Sequence, residues 1–450
     1  MSTHPQADRE RVARRAGVAA AAGTAIEYYD FAIYGYLAVV LAPLFFPGHN
    51  SFVQLLGTLG VVATGFLARP VGGLVFGRLG DRHGRRAVLM ATVAVMGTAT
   101  TLTGLLPTHA SIGVAAPALL TALRLLQGFA AGGEIGGATS LSTESAPSRR
   151  RGLFGSATAI GISLGLAAAA ATIATLSALT SPEQMNSFGW RVPFLIAAPL
   201  LVAAVLYRMR VEDSPVFTEM VQRAAPPKAP VSEVLRAHKA SVLRVVGIAY
   251  STMTTGGIAS VYLLVHLSAV LKYPLTWSLW LIVLIVVTPL AVTPWAGALS
   301  DRFGRRRVLA AGMAGFVVLA VPCFWAMQQG SLTLAVVAAL VLNVPFSIQQ
   351  GVVYTQYSEL FPTRVRYTGI SLGFNVGGVI GTGLVSLIAT WLVSATGLTI
   401  APAFYIMLAA IVGLLVIGTM PETSRQDLAG EQETTTPIHD ATPKQTEAVR

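Results

Sequence analysis

The sequence predicts an all-α membrane protein, with twelve transmembrane helices arranged as two pseudo-symmetric six-helix bundles. Three observations carry that expectation. The chain holds too few charged residues to wet a soluble surface, its basic clusters fall in alternate connections, and three sequence markers recur in the same order about 215 residues apart.

Apolar residues make up 54% of the 450 and charged residues 11%, and mean hydropathy is +0.65. A soluble domain carries about 25% charged residues. A helix needs ~20 apolar residues to cross a ~30 Å hydrocarbon core, and the runs of that length lie at 17–45, 53–76, 87–106, 114–143, 153–178, 189–207, 244–269, 276–298, 308–327, 332–357, 367–393 and 401–420. Arg9, Arg11, Arg14 and Arg15 precede the first run in the manner of a leader. Glu27, Tyr28, Tyr29 and Asp30 interrupt that run, however, so a retained first helix is expected. Cys323 is the single cysteine, which excludes an intrachain disulfide.

A net charge of +11 could signal a nucleic-acid partner, but the positions of the charges exclude one. Arg82-His83-Gly84-Arg85-Arg86, Arg149 to Arg151, Arg302 with Arg305 to Arg307, and Arg364 with Arg366 all fall on one side of the twelve-span scheme. The opposite connections hold only Arg191 and Lys272, near their ends. The excess of Lys and Arg in cytoplasmic connections places both termini in the cytoplasm and the chain, multi-pass, in the cytoplasmic (inner) membrane. The expected parts are a cytoplasmic N-terminus (1–16), a first bundle (17–207), a linker (208–243), a second bundle (244–420) and a tail (421–450). Pro226, Pro227 and Pro230 punctuate the linker. The Thr/Glu/Gln-rich tail is expected to be disordered.

The repeat fixes the two-bundle expectation. Gly77-Arg-Leu-Gly-Asp81-Arg82-His-Gly84-Arg85-Arg86 returns 220 residues later as Gly297-Ala-Leu-Ser-Asp301-Arg302-Phe-Gly304-Arg305-Arg306. Glu144-x-x-Pro147-x-Arg149-x-Arg151 returns 215 later from Glu359, and Glu212-Asp-Ser214 returns 210 later as Glu422-Thr-Ser424. Three collinear matches mean duplication. Within each decapeptide the glycines allow tight turns and close helix approach. Asp81 and Asp301 can meet a helix N-terminus or arginines of the opposite half. Arg85 and Arg86 are expected to face Glu144, and Arg305 and Arg306 to face Glu359, as a latch on the cytoplasmic gate.

The Gly-x-x-x-Asp-Arg-x-Gly-Arg-Arg decapeptide resembles the signature of the major facilitator superfamily. Gly23-Thr-Ala-Ile-Glu27-Tyr-Tyr-Asp30-Phe31, Arg69-Pro-Val-Gly-Gly, Arg124-Leu-Leu-Gln127-Gly128, Gly189-Trp190-Arg191-Val-Pro193-Phe194 and Glu359-Leu-Phe-Pro-Thr-Arg resemble its metabolite:proton symporter family, over residues 17–425. That family has Trp or another bulky residue where Tyr28 stands. The resemblance implies halves related by an axis along the membrane normal, and symport of a proton with a small organic acid or zwitterion by alternating access. It also implies a link between Arg124 and Gly128 and proton transfer. The alternative is a proton-coupled exporter, although residues 153–178 lack the proline-containing motif of drug/proton exchangers.

Ionisable side chains at membrane depth cost at least ~2.5–3.5 kcal/mol on insertion scales, so they are read as functional first. Glu27 and Asp30, three apart, share a helix face. Two desolvated carboxylates this close cannot both stay ionised readily, which suits proton exchange; a fixed polar cluster is the other possibility. Arg124 cannot deprotonate and serves by holding a carboxylate or clamping an anionic substrate. Glu134 falls on the face of Gln127. Arg69 is placed near the cytoplasmic end of span two, its stem snorkelling. The second half offers neutral groups, Tyr262, His266, Asn343, Gln350, Tyr354 and Asn375, which with Tyr28 and Tyr34 could orient substrate or simply join helices. No metal-ligand cluster, catalytic triad or phosphate loop occurs outside the helices, so neither enzyme activity nor a cofactor is expected. The partners expected are a small molecule, a proton and the bilayer, with the chain acting as a monomer.

Overall fold

The computed structural model describes residues 5–48, 51–208 and 230–424, with side chains except those of 5–11, 51–53, 56, 85, 86, 204, 207, 208 and 230. With no water in the bilayer core, backbone polar groups must be satisfied within the segment, and the apolar runs accordingly form helices. These are α1 (Pro5–Tyr36), α2 (Ser51–His83), α3 (Arg85–Leu105), α4 (Ala115–Ala131 and Glu134–Glu144), α5 (Ser148–Leu179) and α6 (Arg191–Arg208). The second set is α7 (Lys239–Val270), α8 (Leu275–Phe303), α9 (Arg305–Met327), α10 (Leu332–Glu359), α11 (Thr363–Thr396) and α12 (Ala401–Gly418).

Among the described residues, nine helices are each long and apolar enough to span a membrane. Two bent pairs raise this to eleven: α1 with Ala38–Phe45, at 61°, and Pro182–Gly189 with the start of α6, at 42°. The remaining span is α4, which is not the continuous helix expected over 114–143. It breaks at Gly132 and Gly133, leaving pieces of 17 and 11 residues. α7 begins at Lys239, earlier than the expected 244. Most of the linker and the tail beyond Ser424 lie outside the described residues, as does Glu212 of the third repeat.

Packing repeats with an offset of six helices. α1 packs on α5, α2 on α4 and α3 on α6, just as α7 packs on α11, α8 on α10 and α9 on α12. The halves meet through α2 against α11 and α5 against α8. The turns between α2 and α3 and between α8 and α9 match down to their dihedrals, with Gly84 and Gly304 both at φ 97° and ψ 152°. An L side chain is strained there, which explains glycine at the same place in both decapeptides.

Lipid tails are as apolar as leucine, so helices in a membrane cohere by close packing of small residues. A Cβ on Gly128 would overlap the carbonyl of Gly65, and one on Gly72 that of Phe129. α2 and α4 therefore touch backbone to backbone. Gly128→Val is expected to destabilise the detergent-solubilised chain by about 1–3 kcal/mol, the usual scale of overpacking. Thermal unfolding measures it, and an unchanged midpoint would contradict the close approach.

Candidate functional site

The halves are joined at the end of the bundle that carries the basic clusters, by two reciprocal caps. Asp81, at the end of α2, accepts hydrogen bonds from the backbone N–H of Thr368 at 3.0 Å and from its hydroxyl at 2.6 Å, in the first turn of the helical run of α11. Asp301, at the end of α8, accepts from the N–H groups of Gly152 at 2.9 Å and Leu153 at 3.2 Å, in the first turn of α5. Each carboxylate meets the positive end of a helix in the opposite half. Arg366 adds a buried cross-half ion pair, donating to Glu144 at 2.6 Å, and the Thr143 and Ser358 hydroxyls meet at 2.6 Å.

Arg305 works within its own half. It grips Glu359 through Nε and Nη2, both at 3.1 Å, and reaches Asp301 at 2.8 Å. Arg306 does not pair with Glu359, whose carboxylate Arg305 holds; it donates to the Gly418 carbonyl at 3.1 Å, in the last turn of α12. Arg302 is exposed. The side chains of Arg85 and Arg86 lie outside the described residues. Arg82 is half-buried, and Gly77 packs on Thr368, where a Cβ would come within 2.9 Å of its Cα.

The Glu422-Thr-Ser424 marker also belongs to this end. Glu422 accepts from the N–H groups of Arg305 at 2.8 Å and Arg306 at 3.2 Å, and the Thr423 hydroxyl donates to Glu359 at 2.6 Å. Burial pushes the Glu422 carboxyl up, but the backbone donors outweigh it and hold the group below its usual value. Its contribution is therefore present above the ordinary glutamate range and is lost as pH falls through the lowered value.

Between the halves lies a cavity of about 120 Å³. From α1 it is lined by Tyr28, Phe31 and Gly35, from α2 by Phe66 and Arg69, and from α10 by Phe346, Gln350 and Tyr354. α7 and α11 contribute where their winding loosens into π-turns, at Gly257–Tyr262 and Val379–Gly383, placing Gly257, Ser260, Thr382 and Gly383 on the wall. Such turns are frequent at functional sites. Hydropathy carries no sign of them.

Among the described residues, Arg69 is the one charged side chain on this wall, which corrects its expected position near the helix end. α2 continues past Arg69 to His83, about 20 Å at 1.5 Å per residue, so the arginine sits deep in the bundle. Its guanidinium is held 4.1 Å from the centroid of Phe31 and 4.6 Å from that of Phe66, and it pairs with Glu27 at 3.6 Å, both side chains buried.

Glu27 and Asp30 diverge. Asp30 turns to α3, where the Thr100 hydroxyl donates to it at 2.9 Å and in turn accepts from the Gln127 amide. The 60° between positions three apart is enough to give each carboxylate its own neighbour. Arg124 is stacked on Tyr34, 4.0 Å from the ring centroid, with no ion pair within 4.0 Å among the described residues. Its Nε and one terminal nitrogen lack a hydrogen-bond partner. Glu134, past the α4 break, accepts from Thr92 at 3.1 Å.

Five neutral candidates, Asn375, Tyr34, Tyr262, His266 and Asn343, lie off the cavity wall. Asn375 joins the halves by donating to the Gly132 carbonyl at 2.7 Å. Tyr34 holds Arg124 and donates to the Thr58 carbonyl at 3.3 Å. Tyr262 is buried against His266, which in turn packs on Phe324, and Asn343 is wholly buried. Tyr28, Gln350 and Tyr354 remain on the wall.

Neutralising either cap should loosen the basic end. Hydrogen bonds to a charged group are worth about 1.5–3 kcal/mol each, so Asp81→Asn or Asp301→Asn is expected to shift the closed-to-open ratio about ten- to hundredfold. Alkylation of a cysteine introduced at Ser358, whose buried hydroxyl meets Thr143 across the halves, would read this in a Cys323→Ser background. Equal labelling rates with and without the cap would contradict the assignment.

The family model described as Major Facilitator Superfamily matches residues 20–374 and 280–446. The chain is 34% identical over 437 residues to a proline/betaine transporter of Salmonella typhimurium strain LT2, covering 95% of this chain and 87% of that one. It is 37% identical over 419 residues to the inner membrane metabolite transport protein YhjE of Escherichia coli K12, with 91% and 94% covered. The solved proton:xylose symporter XylE, bound to 6-bromo-6-deoxy-D-glucose, superposes with a TM-score of 0.74 at 17% identity, over 94% of this chain and 98% of that one, a likeness of fold. The chain belongs to the major facilitator superfamily and is a multi-pass membrane transporter of small molecules.

Proposed function

We propose that the chain is a proton-coupled symporter of a small carboxylate-bearing or zwitterionic metabolite, acting as a monomer in the bacterial inner membrane with its basic end in the cytoplasm. The observation that carries this reading is Arg69 on the cavity wall, paired with buried Glu27 and the one charged lining residue among those described. An arginine at that depth suits a substrate carboxylate, bound bidentately. The faces of Tyr28, Phe346 and Tyr354 suit an ammonium through cation–π attraction. The names of the relatives, a proline/betaine transporter and a metabolite transport protein, support the same class of cargo.

Coupling then follows from charge. A substrate carboxylate on Arg69 competes with Glu27 for the guanidinium, and a buried carboxylate that gives up its arginine is costly to keep ionised. Protonation of Glu27 removes that cost, so proton and substrate enter together. Asp30, on its hydroxyl partner Thr100, is a second carboxylate able to take a proton. The caps at the basic end suit a state closed to the cytoplasm, and opening them would release both cargoes inward. Residues 17–207 and 244–420 would be the bodies that rock.

Uptake into proteoliposomes, with and without an imposed pH gradient, tests this across a panel of betaines, amino acids and organic acids. Accumulation is expected only with the acidic side outside, and Glu27→Gln or Asp30→Asn should abolish accumulation. Arg69→Lys should raise the KM for carboxylate substrates at least about tenfold, the loss of one bidentate charge-assisted contact. Uptake indifferent to the gradient would overturn symport, and outward pumping would favour the exporter.

A further inference from the structure

A second recess lies apart from the cavity between the halves. At the basic end of the second half, α8, α9 and α12 enclose a recess of about 770 Å³, lined by Arg302, Arg306 and Arg307 and by the apolar Phe303, Leu414 and Ile417. Its two carboxylates are already committed inward. Asp301 serves the N-terminus of α5 and Arg305, and Glu422 serves the N–H groups of Arg305 and Arg306. Arg306 gives one nitrogen to Gly418. Arg302 and Arg307 are exposed and form no ion pair among the described residues. The recess wall therefore carries three guanidinium groups against two carboxylates that already accept hydrogen bonds from elsewhere, a net positive charge.

The apolar part of the wall decides what kind of anion fits. α9 begins and α12 ends at this level, and the recess runs into lipid-facing surface, with Phe303 57% and Leu415 69% exposed. A soluble phosphate would use the arginines and leave the apolar wall wet. We propose that the recess binds an anionic phospholipid, its phosphate among Arg302, Arg306 and Arg307 and an acyl chain along α12 beside Leu414. Basic pockets between helix ends are suited to such headgroups. A lipid seated there ties α9 to the end of α12, and so steadies the segment by which Glu422 caps α9 and Thr423 reaches Glu359. Closure of the basic end becomes sensitive to the lipid around it.

Native mass spectrometry of the full chain in neutral detergent, titrated with dioleoyl phosphatidylglycerol or dioleoyl phosphatidylcholine, tests the proposal. Phosphatidylglycerol should bind at least fivefold more tightly. At about fivefold per arginine near a membrane surface, the double variant Arg302→Gln/Arg307→Gln should weaken it about 25-fold. Arg236→Gln/Lys239→Gln removes the same charge from exposed positions outside the recess and should leave it unchanged. Millimolar inorganic phosphate should not compete. Equal binding of the two lipids would overturn the proposal, and that comparison needs no variant to fold. Equal losses in both double variants would reduce it to general surface charge. Displacement by inorganic phosphate would assign the recess to a soluble anion instead.

Discussion

Each half of this transporter ends one of its helices with an aspartate that completes a helix of the other half. Asp81 caps α11 and Asp301 caps α5, and the remainder of the basic end is arranged around that exchange. The caps require the tight turns at Gly84 and Gly304, the glycine contacts that bring α2 and α5 against the other half, and the arginines that fix the neighbouring carboxylates. A helix N-terminus is a fixed partial positive charge on a rigid element, so a carboxylate is either on it or off it. Such a contact has two states and suits a gate.

The membrane imposes the second constraint. A buried charge persists only if paired and hydrogen-bonded, and the first half holds most of its intramembrane charge in two separate groups. Arg69, paired with Glu27, faces the cavity, whereas Asp30 with Thr100 and Gln127 lies off its wall. The second half contributes neutral side chains and the loosened turns of α7 and α11. Similar packing in the two halves thus carries dissimilar chemistry: the aspartate caps at the basic end repeat, and the site does not.

The fold was legible because hydropathy, basic clusters and the repeated decapeptide each report on whole helices. Depth and azimuth of single side chains were not. α2 runs for 33 residues, well beyond the length a bilayer needs, so the sequence leaves open which part of it is central, and an expectation drawn from the apolar run alone puts Arg69 too near its end. Glu27 and Asp30 share a face by spacing, yet that face meets both α2 and α3, and which neighbour each would take depended on where Arg69 and Thr100 lay. The break in α4 had a visible signal in Gly132-Gly133, but paired glycines also serve close packing. Glu422-Thr-Ser424 stood out only as a repeat; its contacts with Arg305, Arg306 and Glu359 gave it a role.

Spin labels at Arg149 and Ala240, both exposed at the basic end and in opposite halves, report most directly on whether the reciprocal caps hold one of two states. With Cys323 replaced by Ser, electron–electron distance measurements should give a single short population in the intact chain, and a second, longer one in Asp81→Asn/Asp301→Asn. A single unchanged distance in the double variant would contradict the account.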